Sequence, residues 1–201
     1  FLMFKFVSRT HFQVSTENAI LNAGRFIKES GAQAVKLEGG QKYADRISGI
    51  VNAGIPVISH IGLTPQSFHQ MSGYKVQGKN QSSAKKLFDD AKAVEQAGAF
   101  ALVLEGIPSE LGKKITESIK IPTIGIGAGV HCDGQIQVFH DILGLYDSFV
   151  PKHTKRYAKI GDDISQALIA YKKDVEAKTF PKEKHSTHLN NNVLQFLNNG
   201  K

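Results

Sequence analysis

Gly98-Ala99-Phe100-Ala101-Leu102-Val103-Leu104-Glu105-Gly106 repeats the pattern of Gly31-Ala32-Gln33-Ala34-Val35-Lys36-Leu37-Glu38-Gly39, with Gly, Ala and Glu at identical offsets. A repeat of this kind marks a recurring supersecondary unit. Each copy is a short apolar run closed by a carboxylate and a glycine, and similar runs stand at PVISHIGL (56–63), PTIGIGAG (122–129) and QIQVFHD (135–141). Together with AVKLEGG (34–40) and FALVLEG (100–106) they make five runs, each short enough and apolar enough for a buried parallel strand. FLMFKFV (1–7) is a sixth candidate. From Glu38 to His60 is 22 positions and from Glu105 to Gly127 again 22, the period a βα unit requires.

Amphipathic segments fill the intervals. Ile20, Ala23 and Ile27 follow a Thr16 cap at helical spacing, and Ala84, Leu87, Ala91 and Val94 do so after Ser82 or Ser83. Leu111, Ile115 and Ile119 repeat the spacing after Ser109, and a last helix after Asp162 or Asp163 puts Ile164, Leu168, Tyr171 and Val175 on one face. Alternation of strand and helix predicts an α/β fold, and the period favours a (βα)8 TIM-type barrel over an open sheet. Such a barrel takes about 250 residues and eight strands. The 201 residues here are therefore expected to lack about the first two strands. Residues 1–188 read as this incomplete barrel domain and 189–201 as a polar, asparagine-rich extension.

Composition narrows the class of partner. Lys and Arg number 25 against 18 Asp and Glu, but the lysines are scattered singly or in pairs such as Lys85-Lys86, Lys113-Lys114 and Lys172-Lys173. Without a basic run or basic-aromatic interleaving, neither nucleic acid nor a membrane surface is expected as a partner. The net charge of +7 suits small anionic substrates. A single cysteine, Cys132, rules out an internal disulfide and points to the cytoplasm. FLMFKFV is too short for a membrane span or a signal-peptide core. The chain opens on Phe1, so its natural start is expected upstream.

In a parallel α/β protein the ligand site lies at the carboxyl ends of the strands. Three successive runs end there in ionisable residues: Lys36 with Glu38, His60, and Glu105. A strand alternates its faces, so Lys36 and Glu38 point the same way, toward an interior that apolar residues normally fill. An internal ion pair or a satisfied core histidine would explain each alone; three in a row point to a site. GIGAG (125–129) lacks the spacing and downstream carboxylate of a dinucleotide loop, so its glycines are read as a turn and a packing contact. His131, Cys132 and Asp133 are adjacent on a loop and cannot all face one ion.

AVKLEGG, SHIGLTPQS (59–67), GYKVQGK (73–79), LVLEGIP (102–108), PTIGIGAG with HCDGQIQVFHD (131–141), and VPKHTKRYA (150–158) together resemble the ketopantoate hydroxymethyltransferase family in order, spacing and wording. The resemblance runs from about Gln13 to about His188. It implies a (βα)8 barrel that moves the one-carbon unit of 5,10-methylenetetrahydrofolate to 3-methyl-2-oxobutanoate, giving 2-dehydropantoate, with Mg2+ as cofactor. It also implies a homo-oligomer, a decamer in the family. By motif match, Glu38 corresponds to a metal ligand, Lys36 to the residue binding the substrate carboxylate, His60 to a substrate contact and Glu105 to the catalytic proton acceptor. Those roles suit the side chains: a hard carboxylate for Mg2+, an ammonium for a carboxylate, a partly desolvated Glu for a base.

Two departures stand beside the match. The family's Asp-Ser pair on an early strand has no counterpart, and Phe6 in Phe6-Val7-Ser8 stands where a second metal-binding aspartate is expected. With Glu38 as the remaining carboxylate, weak Mg2+ binding is predicted. Two other readings stay open. One is an inactive chain acting as structural or regulatory partner of a complete paralogue; the other is a related Mg2+-dependent barrel lyase, which the motifs from GYKVQG onward speak against.

Overall fold

The computed structural model describes residues 14–64, 75–146 and 149–189, with positions 191, 193 and 195. The N-terminal candidate strand, Phe6 and the Pro65–Tyr74 part of the quoted motifs lie outside the described residues. Two compact units emerge, Phe1–Val138 with Pro151–Thr154, and Phe139–Val150 with Lys155–Lys201.

In the first unit, five strands form one sheet: β1 (Val35–Glu38), β2 (Val57–Gly62), β3 (Ala101–Glu105), β4 (Thr123–Ile126) and β5 (Gly134–Gln135). Every neighbouring pair is parallel and the strands follow one another in sequence order. A doubly wound open sheet would reverse direction at its first strand; an unreversed parallel order is the wall of a (βα)8 barrel. The expected α/β barrel class is thus seen as a run of consecutive wall strands.

Helices α1 (Thr16–Ser30), α2 (Ala44–Asn52), α3 (Gln81–Gln96) and α4 (Ser109–Thr116) cover one face of this wall. Val35, Leu37, Val57, Ile61, Leu102 and Leu104 point into that layer and meet Ala19, Ile47, Ile50, Val94 and Ile115. Each large apolar side chain buried here is worth about 1.5–3 kcal/mol relative to exposure. Alternation sends Lys36, Glu38, Ile58, His60, Ala101, Val103, Glu105, Ile124 and Ile126 to the opposite face. Ile58, Ala101, Val103 and Ile126 form a separate apolar cluster there, with Ile124 packed against it.

The quasi-repeat has a backbone cause. Gly31 and Gly98 end helices α1 and α3 at φ of 67° and 92°, and Gly39 and Gly106 follow the strand-end carboxylates at 126° and 58°. Both copies therefore need left-handed backbone at their two ends, which glycine adopts without steric cost.

Several element boundaries differ from the sequence reading. The cap of α1 is Ser15, whose Oγ accepts the Asn18 N–H at 3.2 Å, not Thr16. That of α3 is Asn80, in a reciprocal capping box with Ser83, not Ser82 or Ser83. Helix α2 and the 3-10 turn Gln41–Tyr43 before it were not anticipated; α2 is short, and Ile47 and Ile50 are its only buried positions.

QIQVFHD is a strand only at its start. The Ile136 N–H still donates to the Gly125 carbonyl at 2.9 Å, but Ile136 and Val138 stay 43 % and 46 % exposed, so no buried face extends the ladder. In the second unit, Phe139–Leu143 form helix α5. Helix α6 (Ile160–Glu176) starts two residues before Asp162, and its stripe of Ile164, Leu168, Tyr171 and Val175 is exposed. No helix among the described residues is long and apolar enough to cross a membrane.

Candidate active site

Lys36 and Glu38 stand two residues apart on β1, and Glu38 is in register with His60 on β2. Glu105 ends β3, one strand further along. The shared face brings all four sequence-predicted residues together. Lys36 Nζ lies 3.1 Å from Glu38 Oε1, His60 Nδ1 lies 3.8 Å from the same oxygen, and His60 Nε2 lies 3.2 Å from Glu105 Oε2. The row reads ammonium, carboxylate, imidazole, carboxylate.

It is a buried row. The side chains are 9 %, 5 %, 2 % and 14 % exposed in that order. Both His60 ring nitrogens are close to a carboxylate, yet neither makes a well-aligned hydrogen bond. A buried polar atom without an aligned partner is costly in a core, and such atoms mark places where a ligand completes the bonding. An ammonium can hold an anionic group there, and a carboxylate beside an imidazole can accept a proton.

The backbone around the row is tied from several sides. Gly39 N–H donates to the His60 carbonyl at 2.9 Å, and Ser59 Oγ donates to the Gly39 carbonyl at 3.2 Å. The Gln77 N–H donates to the Gly106 carbonyl at 2.8 Å, anchoring the segment after the undescribed stretch to the end of β3. A cavity of about 340 Å³ opens beside the row, toward α3; of the four residues Glu38 lines it, together with Lys42, Tyr43, Thr64, Gln77 and Asp90. That volume lies at the small end of ligand pockets.

Asp90 is a residue the sequence reading passed over. It is buried on α3, where Leu87, Ala91 and Val94 are also buried, and a charge on that apolar stripe was the available signal.

The remaining candidates have structural partners. A Cβ on Gly129 would meet Ser109 Oγ at 2.0 Å and one on Gly112 the Ala128 carbonyl oxygen at 2.4 Å, so GIGAG lets α4 pack directly on this backbone. His131 is exposed, Cys132 is buried, and the Asp133 carboxylate accepts from Thr123 N–H and Oγ1 at 2.8 and 2.9 Å. Those Thr123 bonds hold the Asp133 carboxyl below the usual range, backbone contribution first. Burial raises the Cys132 thiol above its ordinary value. Among the described residues, no group of three or more His, Cys, Asp or Glu is placed to hold a metal ion.

Comparison with known proteins gives a consistent set of relatives. The pattern of the family described as ketopantoate hydroxymethyltransferase matches residues 4–183. A 3-methyl-2-oxobutanoate hydroxymethyltransferase of Clostridium acetobutylicum is 56 % identical over 92 % of this chain and 67 % of its own length. One from Dehalococcoides mccartyi is 57 % identical over 92 % and 67 %. This chain thus spans about two thirds of the length of these curated relatives. Among solved structures, a phosphonopyruvate hydrolase aligns with 94 % of this chain and 66 % of its own at 11 % identity and a TM-score of 0.49.

Proposed function

The chain belongs to the ketopantoate hydroxymethyltransferase family, a family of transferase enzymes, and from that premise we propose that it transfers the one-carbon unit of 5,10-methylenetetrahydrofolate to 3-methyl-2-oxobutanoate, forming 2-dehydropantoate. The observation that carries the reading is the buried row Lys36–Glu38–His60–Glu105 at the strand ends. In it, the Lys36 ammonium takes the substrate carboxylate, His60 contacts the substrate, and Glu105 removes the C3 proton. The resulting enolate carbon bonds to the methylene carbon, both carbon–nitrogen bonds to folate break, water supplies the hydroxyl group, and its second proton and the C3 proton end on the two folate nitrogens to release tetrahydrofolate. Low solvent access strengthens each of these interactions. The +7 charge favours approach of two anionic reactants.

Mg2+ is implied by the sequence resemblance, with Glu38 as its ligand. The described residues do not fit a self-standing Mg2+ site: Glu38 is the one carboxylate assigned to it, its Oε1 is paired with Lys36, and no metal-holding cluster surrounds it. The same shortage favours a second reading, an inactive chain that partners a complete paralogue.

We further place the protein in the cytoplasm, as a homo-oligomer acting on small molecules. The lone buried cysteine and the exposed apolar stripe of α6 support these two assignments.

Proton exchange at C3 of 3-methyl-2-oxobutanoate, followed by NMR in deuterated buffer, tests the transferase reading without folate. The parent chain should exchange, and Glu105→Gln should slow the exchange by about a hundredfold or more. A folded parent chain that exchanges nothing, with or without added Mg2+, would discard catalysis in favour of the partner reading.

A further inference from the structure

We propose that Asp90 is a positioning residue for Glu38, acting through the Gly39–Gln41 turn; this rests on the reading that Glu38 belongs to the working site. The turn leaves β1 directly after the Glu38 carboxylate and enters the 3-10 turn Gln41–Tyr43. Asp90 reaches it from α3, a separate element 49 residues away in sequence, where its Oδ1 accepts the Gln41 N–H at 2.8 Å. Its other oxygen faces Lys86 Nζ at 2.7 Å. Asp90 is 5 % exposed, whereas the Lys86 side chain is 74 % exposed, so the ion pair is open to solvent at its lysine end while the carboxylate itself is buried against the turn.

Steric contact reinforces the bond. A Cβ on Gly40 would meet Asp90 Cγ at 2.1 Å, so the turn and the carboxylate touch with no room between them. On the other side the Tyr43 ring closes over Gly39, where a Cβ would lie 2.2 Å from it. Pinned at Gln41 by Asp90, at Gly39 by Ser59 Oγ and by the bond from its N–H to the His60 carbonyl, the turn leaves Glu38 one place to stand. That place is 3.8 Å from His60 Nδ1. Removing Asp90 frees the Gln41 end of the turn, and a carboxylate misplaced by about an ångström in a catalytic array loses tenfold to a hundredfold in rate.

The test compares the full chain with Asp90→Ala, Asp90→Asn and Lys86→Met, reading the His60 ring signals by NMR and the C3 exchange rate. Asp90→Ala is expected to move the His60 signals and to slow exchange by about tenfold or more. Asp90→Asn keeps an oxygen for Gln41 and should leave both near the parent values. Lys86→Met, which removes only the solvated partner, should do the same. Gly40→Ala attacks the same contact from the turn and should reproduce the Asp90→Ala signature, which keeps the proposal testable if Asp90→Ala does not fold. Folded Asp90→Ala or Gly40→Ala protein with unmoved His60 signals would overturn the positioning role. Absence of exchange in the parent chain would instead strike the transferase reading, while the His60 signals still report on Asp90.

Discussion

Lys36 and Glu38 are an ion pair almost without solvent, and such a pair is dangerous to halve. Lys36→Met leaves a buried carboxylate uncompensated and is expected to lower the unfolding free energy by about 3 kcal/mol, measured by urea denaturation. Lys36→Met/Glu38→Gln should recover a large part of that loss, since neither charge remains to be desolvated. Asp133 gives a pH-dependent case. Its folded carboxyl is held low by Thr123, so its contribution is present above the unfolded carboxyl range near about 4 and is lost as pH falls through the folded value. Asp133→Asn should therefore lower Tm at pH 7, with the difference from the parent closing as pH falls through the folded carboxyl's lowered range. Solvent reaches Asp133, which keeps the effect under about 1 kcal/mol. At this scale the sequence showed which residues share a face, because strand alternation is local. It did not show that His60 stands between two carboxylates, since that depends on register between strands.

Elements are limited by their ends. Asn80 accepts the Ser83 N–H at 2.9 Å and Ser83 Oγ accepts the Asn80 N–H in return. Asn80→Ala is expected to cost about 1 kcal/mol in thermal unfolding, while Ser82→Ala should change Tm little. The opposite ranking would restore Ser82 as the cap. Three candidate cap residues, Asn80, Ser82 and Ser83, compete on equal chemical terms in one short stretch, and only the backbone entry angle chooses among them. The end of β5 was decided in the same way: an apolar pattern asks for a strand, but a strand persists only where one face is buried. The α2 segment shows the converse, a helix too short for its periodicity to stand out, held by the packing of Ile47 and Ile50.

For the molecule as a whole, the shortage of carboxylates among the described residues of the site sets an expectation for metal. Calorimetry of the purified chain should find weak Mg2+ binding; tight, stoichiometric binding would show that other ligands complete the site. The exposed α6 stripe sets another. Replacing Leu168 and Tyr171 with Asp and Lys should shift sedimentation toward smaller species, and unchanged sedimentation would remove this stripe from the proposed oligomer contact.

The parallel βα wall, the inward face and the four ionisable residues at three strand ends were readable from the chain itself, because they follow from periods of two and about 3.6 residues and from a repeated glycine-bounded unit. Family membership was readable too, carried by the order of six motifs. What only the tertiary structure decided lies between elements: the 3.2 Å approach of His60 to Glu105, the hold of Asp90 on the turn after Glu38, and the early end of β5. Such features depend on register and on side chains meeting across tens of residues, and no local pattern encodes a distance of that kind.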